Sequence, residues 1–357
     1  MKVLHRTRRS GVFAMAAVAA LTLAACGSDT GDAADNSDET ASADTDGDTE
    51  TEGSNGDEAG ADAPASEVTD MAGNTVSLPE DPHSIIATDN RIFGTLADWG
   101  VELSAAPIDL MPPGEENLSM YIDNPDVQNL GNHREPDMEV FITAEPDLIL
   151  NGQRFAQYGE DIVDLVGDDV AFVDTNIDIE NKPIDEELKA LTTLLGEVFG
   201  HQAEAEQLIA DFDASIEAAA EAYDPEQTVA GLITSGGSIN YSAPSTGRSI
   251  GPVFDVLGLT PALEIDGSTN HQGDDISVEA IAEANPDWII VLDRDAGAGT
   301  ENFSSAEELI AESEALANVT AVKEGNIIYL DPNFYTAEDI QHYTELFNQL
   351  AEAFSAE

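Results

Sequence analysis

Arginine is scarce in this chain, and its placement carries the chemistry. Among 357 residues, 72 are Asp or Glu and 12 are Lys or Arg, giving a formal net charge of −60. Lys2, Arg6, Arg8 and Arg9 precede Cys26, which leaves only eight basic residues beyond it. A surface already covered by carboxylates gains little from arginine, so Arg91, Arg134, Arg154, Arg248 and Arg294 are expected to have partners. Arg154 and Arg294 occupy the same place in an internal repeat. E-V-F-I-T-A-E-P-D-L-I-L-N-G-Q-R runs from Glu139 to Arg154, and E-A-I-A-E-A-N-P-D-W-I-I-V-L-D-R runs from Glu279 to Arg294. A guanidinium is a planar, permanently charged fork of donors, so the chemistry predicted is directed binding of an anion.

Each repeat also says how its arginine is positioned. A short helical stretch led by Glu stops at Pro-Asp, and an apolar run of strand length then delivers the arginine at its far end. Ligands of open α/β sheets bind at the carboxyl ends of strands. Two such units predict an α/β protein with two Rossmann-like lobes and a ligand held between them. Further elements fit this plan. A hairpin is expected around Ala72-Gly73-Asn74 and a first buried strand at Ser84–Thr88, followed by a helix over Phe93–Gly100 and strands at Leu148–Leu150 and Val170–Val173. Helical spacing covers Ile184–Phe199 and His201–Tyr223, the second being long enough to join the lobes as one helix of about 34 Å. Strands follow at Val229–Thr234 and Asn326–Leu330, helices at Val253–Leu257 and Ala337–Phe354.

The amino terminus belongs to neither lobe. A basic Met1–Arg9, an apolar Gly11–Leu23 too short to span a bilayer, and Leu23-Ala24-Ala25-Cys26 have the layout of a cleaved export signal over residues 1–25. Arg8-Arg9 leaves the Sec and twin-arginine routes open. Cys26 is the only cysteine, which excludes disulfides, cysteine zinc sites and thiol catalysis within the chain. Residues 26–65 are acidic and small, without Ile, Leu, Val or Phe after Cys26, and predict a disordered tether. These acids lack the spacing of an ordered calcium loop. The lobes are then expected over residues 66–199 and 225–357, with the joining helix at 200–224.

The Leu-Ala-Ala-Cys tetrapeptide resembles a bacterial lipobox, which implies lipid modification of Cys26 and anchorage to the outer face of the cell membrane. With it, the V-T-D-x-x-G-N start, the single long helix and the paired E-x7-P-D units resemble the substrate-binding lipoproteins of iron-siderophore and cobalamin ABC importers, the class III periplasmic-binding-protein-like fold. P-D-L-I-L-N-G-Q-R, the loop ending G-R-S-I-G-P-V-F-D-V-L-G, and H-Q-G-D-D-I-S-V-E-A-I-A-E-A-N-P-D-W-I-I-V-L-D-R are similar to the ferric-catecholate branch. That resemblance implies three cleft arginines at Arg154, Arg248 and Arg294, and His271 and Tyr335 against the iron. It further implies that Glu139 and Glu279 dock on a membrane permease with its ATPase; the local alternative for these two is a favourable place at a helix start. Arg91 and Tyr241 complete the expected ligand set.

The residue chemistry points the same way. A ferric tris-catecholate is anionic, and arginines can hold it inside a protein whose overall field repels it. Salt must then screen that field, which points to a saline habitat. Ferric iron is hard and takes phenolate oxygen or a neutral imidazole. Iron is expected only as part of the ligand, with no intrinsic cofactor. A monomer is expected, without nucleic acid. Alternative cargoes are cobalamin, haem and ferric citrate. A zinc or manganese receptor would cluster its histidines, whereas His83, His133, His201, His271 and His342 are scattered. An extracellular hydrolase built on Ser235 and His271 is the reading from another class, but Ser235 lacks the G-x-S-x-G turn.

Overall fold

The computed structural model describes residues 63–112 and 114–356. Cys26, the export signal and the tether up to residue 62 lie outside the described residues. The chain opens with the antiparallel hairpin β1 (Glu67–Thr69) and β2 (Thr75–Ser77), turned at Gly73 with φ 85°. There follow β3 (Ile85–Ala87), α1 (Phe93–Asp98), β4 (Ala105–Ala106), α2 (Ser119–Ile122), β5 (Gln128–Asn129), α3 (Val140–Thr143), β6 (Leu148–Asn151), α4 (Gly159–Val166) and β7 (Ala171–Asp174). Two long helices come next, α5 (Ile184–Phe199) and α6 (Gln202–Ala222). The second half holds β8 (Thr228–Ser235), β9 (Ser238–Tyr241), α7 (Gly251–Leu257), β10 (Thr260–Pro261), α8 (Val278–Ala284), β11 (Trp288–Asp293), α9 (Arg294–Gly297), α10 (Ala306–Glu312), α11 (Thr320–Glu324), β12 (Ile327–Tyr329), α12 (Phe334–Ala337) and α13 (Ile340–Ser355).

Strands pair into one sheet per lobe. The first is wholly parallel in the order β5-β4-β3-β6-β7; the second runs β10-β8-β11-β12 in parallel, with β9 antiparallel on β8. Both faces of each sheet are covered, so all of β6 and β11 is buried and each reads as an apolar run up to its last residue, Asn151 or Asp293. The two-residue period of a strand still divides them. Leu148, Leu150, Ile290 and Leu292 face one core that runs through both lobes, whereas Ile149 packs on the outer side of the first sheet and Ile289 and Val291 on that of the second.

That shared core revises the picture of two bodies on a single rod. Helix α6 does connect the lobes, and its 21 residues span about 32 Å at 1.5 Å per residue. It is flanked by α5 and α13, whose buried residues belong to the same cluster, and Phe212 of α6 meets Phe347 of α13 at 5.8 Å between ring centroids. A three-helix layer therefore joins the inner faces of both sheets.

Helix boundaries follow local chemistry. Helix α5 occupies the span its periodicity predicts and stops at Gly200, whose left-handed φ of 72° a glycine adopts without strain. The carboxy-terminal helix departs from expectation. It begins at Ile340, capped by Asp339, whose Oδ1 accepts the His342 N–H at 2.9 Å. The separate turn α12 ends at Glu338, which takes φ 50°. Ala337 thus closes one helix instead of opening the next, because the Glu338 side chain is drawn into the seam between the lobes.

Candidate functional site

The repeat does structural work at both of its ends. Its aspartates pin neighbouring parallel strands: Asp147 accepts the Ser84 N–H at 3.1 Å ahead of β3, and Asp287 accepts the Thr228 N–H at 2.8 Å at the start of β8. Pro-Asp is thus a strand clamp as well as a helix stop. At the far ends, β6 leads into a 3₁₀ turn carrying Arg154, and β11 leads directly into α9 with Arg294 at its first position. Close packing fixes both exits. A Cβ at Gly152 would lie 2.2 Å from Asp89 Oδ2, and one at Gly297 would lie 2.2 Å from the Pro332 carbonyl and 2.8 Å from Tyr335 Cβ. The second contact holds Tyr335 against the Arg294 turn.

The two exits face each other across a cavity of about 410 Å³. The first lobe contributes His133, Arg134 and Arg154, and the second contributes Arg294, Tyr335 and the backbone of Gly297–Gly299. The Arg248 guanidinium lies 5.0 Å from the Tyr335 ring centre and that of Arg294 lies 5.3 Å from it, so the tyrosine is flanked by two cations. Arg154 donates to Gln153 Oε1 at 2.9 Å and to the carbonyls of Thr336 and Tyr335 at 3.4 and 3.5 Å, all neutral acceptors. Arg294 reaches Asp295 at 3.3 Å and Ser235 Oγ at 3.4 Å. Arg91 faces Glu338 at 3.5 Å. All five arginines that follow Cys26 thus meet at one interlobe cleft, while Lys182 and Lys189 pair elsewhere with Glu187, Asp185 and Asp213.

The crowding shows in the protonation equilibria. Burial, followed by repulsion from Arg248 and Arg91, pulls the Arg154 guanidinium down to about 10 despite Glu338 and Tyr335 nearby. Burial and the arginine charges also lower His133 and His271, which favours their neutral forms. Burial alone would raise the Glu338 carboxyl, but Arg248 and Arg91, with donors from Arg248 and Ser249, hold it at about 2. Arg91 Nε, Arg294 Nε and His133 Nδ1 are buried without a hydrogen-bond partner among the described residues. Three arginines line the cavity against one carboxylate, Asp109, and a cleft with that excess of cationic donors can take an anion with many oxygen acceptors.

The other sequence candidates fall in different places. His271 lies in an exposed loop beyond the cavity wall, near enough for Arg294 and Arg248 to act on its proton. Arg91 sits behind the cavity, with its charge facing Glu338. Tyr241 is corrected: it is 2% exposed, belongs to the outer core of the second lobe, and donates its hydroxyl to the Leu263 carbonyl at 2.7 Å. Alternation along β9 turns Ile239 and Tyr241 inward together. Ser235 is buried at the end of β8, where its Oγ accepts from Arg294 at 3.4 Å. Glu139 and Glu279 are exposed at the starts of α3 and α8; Ser277, and not Glu279, caps α8 through Ala280 N at 3.1 Å.

Sequence reasoning missed His133 and Glu338. Adjacency to Arg134, one of the few arginines, was the available signal for His133. Glu338 had none, being one of 72 acids.

A two-lobed α/β protein with a cationic cleft at the strand ends defines a class of extracytoplasmic ligand receptor. The family model for periplasmic binding proteins matches residues 85–334, and the chain belongs to that family. The petrobactin-binding protein YclQ of Bacillus subtilis is 25% identical over 280 residues, covering 76% of this chain and 83% of YclQ. Its crystal structure has a TM-score of 0.68 and covers 82% of this chain and 99% of that one. The ferric-anguibactin-binding protein FatB of Vibrio anguillarum is 29% identical over 262 residues, covering 72% of this chain and 77% of FatB. A TroA-like periplasmic binding protein from Xylanimonas cellulosilytica is 27% identical with a TM-score of 0.65, covering 81% and 97%.

Proposed function

We propose that this protein captures a ferric siderophore, of catecholate type, between its lobes and delivers it to an ABC permease. The convergence of Arg91, Arg134, Arg154, Arg248 and Arg294 on one cleft, in a chain of net charge −60, carries this reading. Relatives named for binding petrobactin and ferric anguibactin support the cargo class. In this reading Arg154, Arg248 and Arg294 receive the anionic oxygens, Tyr335 lies between two of these cations, and His271 approaches the iron from the loop above. Iron arrives with the cargo. Cys26 carries the lipid anchor, residues 26–65 form the tether, and the protein works as a monomer. Calorimetric titration at molar salt is expected to give saturable binding of a ferric tris-catecholate; absence of binding for catecholate, hydroxamate and citrate complexes alike would defeat the reading.

Glu139 and Glu279 are assigned to the permease. Each is exposed, one per lobe, and neither carries a cap that its helix depends on. Glu139→Lys and Glu279→Lys, singly and together, are expected to leave cargo affinity unchanged while abolishing cellular uptake of the ferric complex. Normal uptake by the double variant would remove the assignment.

A further inference from the structure

A carboxylate lies at the centre of the arginine cluster. Glu338 Oε1 accepts from Ser249 Oγ at 2.7 Å and Arg248 Nε at 3.2 Å. Its Oε2 accepts from an Arg248 terminal nitrogen at 2.8 Å and Gln153 Nε2 at 3.1 Å, and faces Arg91 at 3.5 Å. Arg91 and Gln153 belong to the first lobe, Arg248 and Ser249 to the second, so one side chain collects donors from both. Glu338 is 4% exposed and holds a left-handed backbone, φ 50°, which a side-chain-bearing residue adopts only where its surroundings enforce it. Its two neutral donors, Ser249 and Gln153, hold the carboxylate apart from any attraction by the arginines. An anion entering the cavity meets Arg134, Arg154 and Arg294 with one carboxylate, Asp109, on the same lining, while Glu338 lies off that lining and is bonded to Arg248.

The arrangement has an electrostatic consequence. Five guanidinium charges focused on one cleft would favour the most highly charged anion available, and would repel one another when the cleft is empty. A resident carboxylate offsets one of those charges at the point where Arg91 and Arg248 come together. We propose that Glu338 is a specificity-determining residue that sets how much negative charge the cargo must carry, by acting as a permanent counter-anion to Arg91 and Arg248. The inference rests on the receptor reading above and adds to it the residue that tunes charge selection.

Calorimetry on the full chain with a ferric tris-catecholate, at fixed salt, tests this. Glu338→Gln keeps the shape and removes the charge. It is expected to raise affinity about tenfold, the effect of one unit charge facing roughly three at about 10 Å in a high-dielectric cleft. Arg91→Gln removes the opposite charge and is expected to lower affinity by about the same factor. The double variant Arg91→Gln/Glu338→Gln should return to the unaltered value, and a neutral ferric hydroxamate complex should change little across the series. Glu338→Gln leaves two buried cations less compensated and should melt at lower temperature; if it does not fold, the fall in Arg91→Gln and the behaviour of the double variant decide. Equal affinity for the anionic complex across the folded variants overturns the inference while the receptor reading stands. Failure of the unaltered protein to bind any ferric complex overturns both.

Discussion

Arg154→Ala is expected to weaken binding of a ferric catecholate about a hundredfold, the loss that follows from removing about 2.7 kcal/mol of charge-assisted hydrogen bonding. The reason lies in what Arg154 touches. Its acceptors are one side-chain amide and two backbone carbonyls, so among the described residues no carboxylate bonds it directly, and Glu338 acts on it only at longer range. Burial and the neighbouring Arg248 and Arg91 already disfavour the charged form. Removing the guanidinium should therefore leave the melting temperature of the empty protein unchanged or higher, while affinity collapses. Arg154→Lys should recover only part of the loss, since an ammonium lacks the fork. Lys182→Ala, which breaks a pair with Glu187 away from the cleft, should not alter affinity. Titration calorimetry and a thermal melt on the three variants check all of this; Arg154→Ala with undiminished affinity would remove Arg154 from the site.

The second large effect is a loss of stability in alkali, and it centres on His342. Near the first turn of α13, its Nδ1 lies 2.7 Å from Asp339 and its Nε2 lies 3.7 Å from Glu115 in the other lobe. Glu345, on the same helix, adds a further negative charge. Burial opposes protonation, but Asp339, Glu115 and Glu345 overcome it and raise the imidazole from 6.5 to about 9. A cation favoured by the folded state contributes fully below the unfolded value of 6.5, and that contribution disappears as pH climbs through 9. The shift corresponds to about 3 kcal/mol, with the side chain only 12% exposed. Denaturant melts should show stability falling across pH 6.5–9, and His342→Gln should flatten that interval. A His342→Gln protein with the same slope would assign the effect to another group. The acid side behaves oppositely: Glu338, held at about 2, contributes above its unfolded 4.5 and loses that contribution as pH falls toward 2.

Both effects lie along one seam. Thr95 and Gln341 bond each other across it at 3.0 Å, Asn333 donates to Glu115 at 2.6 Å, and Glu338 gathers Arg91, Gln153, Arg248 and Ser249. These polar ties lie beside the arginine cavity and above the apolar core that α5, α6 and α13 share. A continuous core resists independent motion of the lobes, so changes on cargo binding are expected to concentrate in the side chains of this seam. Interlobe pairs that include His342 and Glu338 make the seam sensitive to pH at both ends of the scale.

Periodicity and spacing determined much of this protein without any tertiary information. Helical spacing located α5 to the residue and α6 to within a residue at each end, because long amphipathic segments leave repeated apolar positions that no loop imitates. The duplicated unit placed two arginines at strand ends, and a strand end is a local property. Scarcity of arginine in an acidic chain singled out all five, which is a property of composition. What the tertiary structure alone decided is which of those arginines share a neighbour. Tyr241 and Arg248 lie in one loop region of the sequence, yet one faces the outer core and the other the cleft, because strand alternation buries the first and the turn after it redirects the chain. Glu338 is the clearest case. Nothing in its sequence context separates it from the other acids, since its role arises from four side chains between 89 and 247 positions away that only the folded chain brings together.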